Sequence, residues 1–187
     1  MKKLLIIFIP ALLGSCSVKD EAVRYLLEPA ISQSSTSSSR PGVAIARPTL
    51  PPYLERSELV TRSGSGTLEI HEKELWSEPL DKGIARVVAD NLRRLTRSTN
   101  VQPAANFIAQ DYTTLVEIRI ERFDPLPDGS VVLECTWKAQ PVGGGDASMR
   151  SFSTTVPVTA GSTGKLSRIP AMNEALARLS RTIAKSL

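Results

Sequence analysis

The sequence predicts an α+β domain in which an antiparallel β-sheet carries two amphipathic helices on one face, a two-layer sandwich. Three observations lead there. From Thr113 to Phe123, Val116, Ile118 and Ile120 alternate with Glu117, Arg119 and Glu121, the period of a half-buried strand. From Val131 to Ala139, Val131, Leu133, Cys135 and Trp137 alternate with Glu134, Thr136 and Lys138 in the same way. Two further stretches place apolar residues at helical spacing on a single side. A sheet with one dry face and two helices with one dry stripe each bury those surfaces against one another.

Taken in order, Val23 to Glu28 reads as a first short strand ended by Pro29. Residues 31–41 follow as a serine-rich loop, too poor in apolar side chains to offset the entropy of ordering. Gly42 to Arg47 is a second strand, stopped by Pro48, Pro51 and Pro52. Ser57 to Thr61 and Thr67 to Glu72 make a hairpin around Gly64 and Gly66. Ser77 is a candidate N-cap for a helix with Pro79 and Asp81 in its first turn. Leu80, Ile84, Val87, Val88, Leu92 and Leu95 form its apolar stripe, and Arg93, Arg94 and Arg97 suit the negative end of its dipole. The strand Thr113–Phe123 leads into a hairpin loop from Asp124 to Ser130, then Val131–Ala139, a Gly143-Gly-Gly-Asp146 turn, and a strand from Met149 to Val158. A second helix from about Ser167 carries Ile169, Met172, Leu176, Leu179 and Ile183 on one face. No internal repeat or second domain is expected.

The start of the chain has a different character. Lys2 and Lys3 precede an apolar run from Leu4 to Leu13. That run is about ten residues long, whereas a membrane-spanning helix needs about 20. Leu13-Gly14-Ser15-Cys16 then resembles a bacterial lipobox. Only a thiol is nucleophilic enough to take a diacylglycerol as a thioether, and a narrow peptidase site needs small residues before it. Residues 1–15 are therefore expected to be a cleaved lipoprotein signal peptide, cut between Ser15 and Cys16. Cys16 is expected to carry the diacylglyceryl and N-acyl chains, and residues 16–22 to be the lipidated N-terminus and a short tether. A plain secretory signal would more often show Ala-x-Ala before the cut. Several acyl chains, at about 0.8 kcal/mol per buried CH₂, anchor firmly where one does not. No later segment is apolar enough to span a bilayer. An Asp after the cysteine marks inner-membrane retention in enterobacterial lipoproteins. Ser17 stands there instead, which by that resemblance implies the outer membrane.

Residues 23–187 are then read as one periplasmic domain; removing residues 1–15 leaves 172 of 187, enough for a real core. Lys2 and Lys3 account for two of the formal +4 charges, leaving about +2. With so weak a charge and no basic stretch interleaved with aromatics, no nucleic-acid partner is expected. Once Cys16 is lipidated, Cys135 has no partner for an internal disulfide.

Candidate sites are few. His71 is the single histidine, placed on an edge strand and read as a surface or packing residue. There is no Gly-x-Ser-x-Gly elbow and no His-Glu-x-x-His pair, so no catalytic residue, and no enzyme, is expected. With one His and one free Cys, no metal site and no cofactor are expected. Cys135 is read as core and inert, Trp76 and Trp137 as core, and Asp124 and Asp128 as turn residues. Pro51-Pro52-Tyr53-Leu54, rigid and apolar in a loop, is the candidate partner contact, with packing against the domain as the alternative.

With these elements in place the chain resembles the PqiC-type family, also called the ABC-type transport auxiliary lipoprotein family. The likeness is carried by Tyr25-Leu26, Val43-Ala-Ile-Ala, Leu50-Pro-Pro-Tyr53-Leu54, Leu75-Trp76-Ser-Glu-Pro79-Leu80, the strand ending at Phe123 and the Trp137 strand. Each motif is weak alone, but their order and spacing run through almost the whole mature chain. The resemblance implies a periplasm-facing lipoprotein held in the outer membrane by lipid on Cys16. It would be the docking component of an MCE-type, PqiABC-like lipid-transport system. Its implied partners are an MCE-domain tunnel protein (PqiB-like) and that protein's inner-membrane partner. A homo-oligomer follows as an expectation, since a collar on a tunnel mouth is symmetric. The alternatives are a lipid- or small-ligand-binding carrier lipoprotein, disfavoured by the narrow helix stripes, and an envelope hydrolase, disfavoured by the missing nucleophile and base.

Overall fold

The structure, a computed structural model, describes residues 21–32, 42–64, 66–107, 111–145, 147–158 and 168–187. The signal-like start with Ser15 and Cys16, the serine run from Gln33 onward, Asp146 and Ser167 lie outside these residues. The strands are β1 (Val23–Tyr25), β2 (Val43–Ile45), β3 (Glu58–Ser63), β4 (Thr67–Trp76), β5 (Val101–Pro103), β6 (Thr114–Pro125), β7 (Val131–Pro141) and β8 (Arg150–Val156). The helices are α1 (Leu80–Thr96) and α2 (Arg168–Ala184), with 3-10 turns at Pro52–Leu54 and Ala104–Asn106.

The α+β class and both amphipathic helices are as expected. The sheet, however, divides in two, and each part is mixed. One has the order β1-β4-β3 and the other β5-β2-β6-β7-β8. β1 runs parallel to β4, and β2 runs parallel to both β5 and β6. Alternation along a strand is blind to the direction of its neighbour. The signal for β2 was its continuous apolar run: Val43, Ala44 and Ile45 are all buried, as an interior parallel strand requires. β5, three residues ending in proline, has no periodic signature at all.

β6 and β7 form the long antiparallel hairpin at the centre of the larger sheet. A bulge between Ile120 and Arg122 puts Glu121 outside the ladder. That extra residue changes the parity of the strand. Phe123 therefore joins Val116, Ile118 and Ile120 in the core, opposite Leu133. Asp124 is sent to the other side and stays fully buried. The strand runs on through Pro125, so the expected loop shrinks to Leu126–Ser130, where Asp128 accepts hydrogen bonds from the Ser130 amide and hydroxyl.

α1 begins at Leu80, with Pro79 at the cap position and no side-chain cap. Ser77 is not the N-cap; its amide is committed to the Tyr25 carbonyl, two residues too early. Arg97 closes α1 in the left-handed conformation, φ 55°. Arg93 and Arg94 do more than complement the dipole, donating to the carbonyls of Val101 and Ile31. In α2, Ile169, Met172, Leu176, Leu179 and Ile183 are buried, the stripe read from the sequence. Both helices and both sheets share one core, with Trp137, Phe123, Leu133, Met172 and Leu176 among its largest fully buried members. Each such side chain contributes about 1.5–3 kcal/mol by leaving water. The segment from Leu27 to Ile31 is sewn to the helices by side chains: Arg86 to the Leu27 carbonyl, Asn173 to the Glu28 amide and Asn91 to the Ile31 amide.

Candidate functional site

Two features meet around the Pro51–Leu54 stretch. The first is a buried carboxylate. Asp124 has no exposed surface, and three groups donate to it: Tyr53 Oη at 2.6 Å to Oδ1, Arg62 Nε at 2.7 Å and Arg122 Nε at 2.9 Å to Oδ2. The carboxylate thus ties the loop, β3 and β6 together. The Arg62 guanidinium also lies over the Tyr53 ring, 5.3 Å from its centre. Burial, and then the bond to Asp124, pushes the Tyr53 hydroxyl up to about 12. The hydrogen bond to Asp124 raises Arg62 above its ordinary value. Turn chemistry accounts for Asp128 but not for Asp124.

The loop itself is locally rigid. Pro51 precedes the 3-10 turn, Pro52 occupies its first position, and the Leu54 amide returns to the Pro51 carbonyl. Leu54 is buried, Pro51 and Tyr53 are half-buried, and Pro52 is the exposed apex. Packing against the domain therefore holds Leu54 and part of Tyr53 and Pro51, while Pro52 faces outward.

The second feature is an open cleft of about 810 Å³ beside that loop. Leu50, Leu54, Trp76 and Leu80 form its floor, and Arg24, Arg56, Glu78 and Asp81 stand on its walls. Arg47 pairs with Asp81, and that bond raises Arg47 above its ordinary value. Arg86 pairs with Glu78 at 2.6 Å. The two stretches Leu50–Leu54 and Trp76–Leu80, distant in sequence, are brought face to face by the end of β4 and the start of α1. Sequence reasoning missed the cleft because Arg24 and Arg56 have no local pattern that marks them.

His71 lies on the middle strand of the smaller sheet, not on an edge. It sits opposite the buried Leu59 of β3 in the ladder, so its side chain turns to the same inner side. There Nε2 meets Thr61 Oγ1 at 2.8 Å and Arg168 Nη1 at 3.3 Å, beside the buried Glu74 carboxylate. Thr61 is 2% exposed, so the hydroxyl facing His71 lies inside the fold. Cys135 is buried, and burial pushes its thiol up to about 12, which makes it a poor nucleophile. Trp76 and Trp137 are both in the core. Among the described residues, no cluster of three His, Cys, Asp or Glu is placed to hold a metal ion, and no helix is long and apolar enough to cross a membrane.

Comparison with known proteins matches residues 25–184 to the model of the ABC-type transport auxiliary lipoprotein component. The chain belongs to that family, an auxiliary component of transport rather than a known class of enzyme. The crystal structure of an uncharacterised protein is similar over 89% of this chain and 99% of its own, with TM-score 0.73 and 18% identity. A Xanthomonas campestris protein of the DUF330 family is similar over 87% of this chain and 93% of its own, with TM-score 0.69 and 16% identity. At these identities the likeness speaks for the fold. A search of curated proteins gave no match.

Proposed function

We propose that this chain is the outer-membrane docking lipoprotein of an MCE-type, PqiABC-like lipid-transport system. The observation that carries the reading is the family match, which spans nearly the whole domain from Tyr25 to Ala184. The lipobox supplies the anchor: cleavage falls between Ser15 and Cys16, and acyl chains on Cys16 hold the domain facing the periplasm. The MCE-domain tunnel protein and its inner-membrane partner are the proteins it serves, and a symmetric ring of copies around the tunnel mouth is the matching assembly. Docking is favoured over carrying because α1, α2 and the larger sheet close on one another with fully buried side chains. The Pro51–Leu54 loop supports it further, since a rigid apex loses little entropy on binding.

In-cell crosslinking followed by purification of the lipidated protein tests this. An MCE-domain protein among the products is the expected result. A chain that comes out alone, carrying phospholipid, favours the carrier reading and sinks docking. Palmitate labelling that persists in Cys16→Ser would separately remove the proposed anchor.

A further inference from the structure

The one histidine of the chain sits where β3, β4 and the start of α2 meet. His71 Nε2 lies 2.8 Å from Thr61 Oγ1 and 3.3 Å from Arg168 Nη1, and Arg168 Nη1 is also 3.3 Å from Thr61 Oγ1. A guanidinium only donates, so the contact between Arg168 and His71 needs an unprotonated Nε2. The ring proton of the neutral form then belongs on Nδ1, which faces Glu74 Oε1 at 3.9 Å. A second proton would enter at Nε2, on the side of the ring that Arg168 occupies.

The place of Arg168 adds a second argument. It is the first residue of α2, and the first turn of that helix holds no acidic residue. A cation there stands at the positive end of the helix dipole, which disfavours it. What holds it is the smaller sheet, through Thr61, the neutral His71 and the Glu74 carboxylate, 3.7 Å from Arg168 Nη1. Thr61 and Glu74 are each 2% exposed, and the His71 and Arg168 side chains are largely covered, so water screens these charges poorly. Of the other charged groups on these elements, Arg62 is committed to Asp124, and Glu174 to Arg178 and Arg181. Glu69, Glu72, Lys73 and, on β1, Arg24 are exposed. The groups on β4 stay beside His71 whether or not Arg168 is in place, so they do not set the sign of the coupling between the two.

We propose that His71 and Arg168 form a proton-operated latch. The neutral imidazole accepts Arg168 and keeps the first turn of α2 on the smaller sheet; protonation sets two cations side by side and frees it. Imidazole is the side chain that ordinarily changes charge between about pH 5 and 8. The latch is therefore whole toward the upper end of that range and is lost as pH falls. By linkage, an Arg168 that has left makes the ring easier to protonate. Ile169, Met172 and Leu176 are buried, so release is confined to the start of the helix. The inference goes beyond the docking reading and does not depend on it.

A single histidine makes the ring signal unambiguous in a proton NMR titration. The test titrates the full-length lipidated protein in detergent, without a histidine tag, beside Arg168→Gln and, as a control charge farther along α2, Arg181→Gln. Arg168→Gln should raise the proton affinity of His71 by about threefold or more, and Arg181→Gln should leave it unchanged. In the native protein, amide exchange over residues 172–176, corrected for its intrinsic pH dependence, should quicken by roughly fivefold or more between about pH 7.5 and about pH 5. In His71→Gln, which stays neutral, it should not. A titration midpoint that Arg168→Gln leaves in place or lowers overturns the coupling. Native exchange that does not respond to pH, or that quickens equally in His71→Gln, overturns the latch. Neither readout involves a transport partner, so failure here leaves the docking reading untouched.

Discussion

Replacing Asp124 by alanine removes the acceptor for three donors at once. Tyr53 loses its partner at 2.6 Å, and the Arg62 and Arg122 guanidinium groups lose theirs at 2.7 and 2.9 Å. Removing one member of a buried ion pair costs about 3–5 kcal/mol, because a charge is left behind in low dielectric. Here the two arginine side chains retain 23% and 26% of their exposure and can turn toward water, so the lower end, about 3 kcal/mol, is expected. For a domain of this size that corresponds to a fall in Tm of about 6–12 °C. Asp124→Asn keeps a carbonyl for Tyr53 and should lose less. Urea unfolding followed by circular dichroism, on a chain beginning at Ser17, measures both. A double-mutant cycle with Tyr53→Phe should show coupling of about 1–2 kcal/mol. A loss below about 1 kcal/mol for Asp124→Ala, the range of an exposed pair, would refute the claim that this carboxylate ties the loop to both sheets.

Three further outcomes follow from the geometry. Tyr53 is pushed up from its ordinary value of 10 to about 12, so its contribution to stability is whole below about pH 10 and is lost as pH rises toward 12; pH-dependent unfolding should show a steeper loss there in the native sequence than in Tyr53→Phe. Cys135, buried with its thiol pushed up to about 12, should resist thiol reagents at neutral pH in the folded chain beginning at Ser17 and react fully in denaturant; rapid native labelling would place it outside the core. Gly42→Ala should destabilise by about 1–3 kcal/mol, because a Cβ there would lie 2.5 Å from the Asp111 carbonyl and 2.8 Å from the Asn100 amide; chemical denaturation with no change in midpoint would contradict that crowding.

Much of the fold was legible because its periods are strong. Val116–Ile118–Ile120 and Leu133–Cys135–Trp137 declare two strands by alternation alone, and the stripe from Ile169 to Ile183 declares α2. What escaped depends on neighbours. The parallel partners of β2 come from segments nearly 60 residues or more away, and only the unbroken apolar run Val43-Ala44-Ile45 hinted at them. Asp124 looked like a turn residue because Pro125, Pro127 and Gly129 surround it. The bulge at Glu121, invisible to strict alternation, is what turns it inward. Pro51–Leu54 was recognisable as rigid from its prolines, while its anchor at Asp124 was not. The cleft was the least legible part, assembled from β1, the loop after β2 and the start of α1. His71 illustrates the same limit, since its inward placement follows from its pairing with the buried Leu59 on β3.

The most direct test of the docking account is the mass of what this chain brings with it when extracted in mild detergent from cells making the whole transport system. The account predicts a particle containing several copies of the lipidated chain together with the MCE-domain protein. A lipidated monomer without that protein, under conditions that keep other envelope complexes intact, would contradict the account.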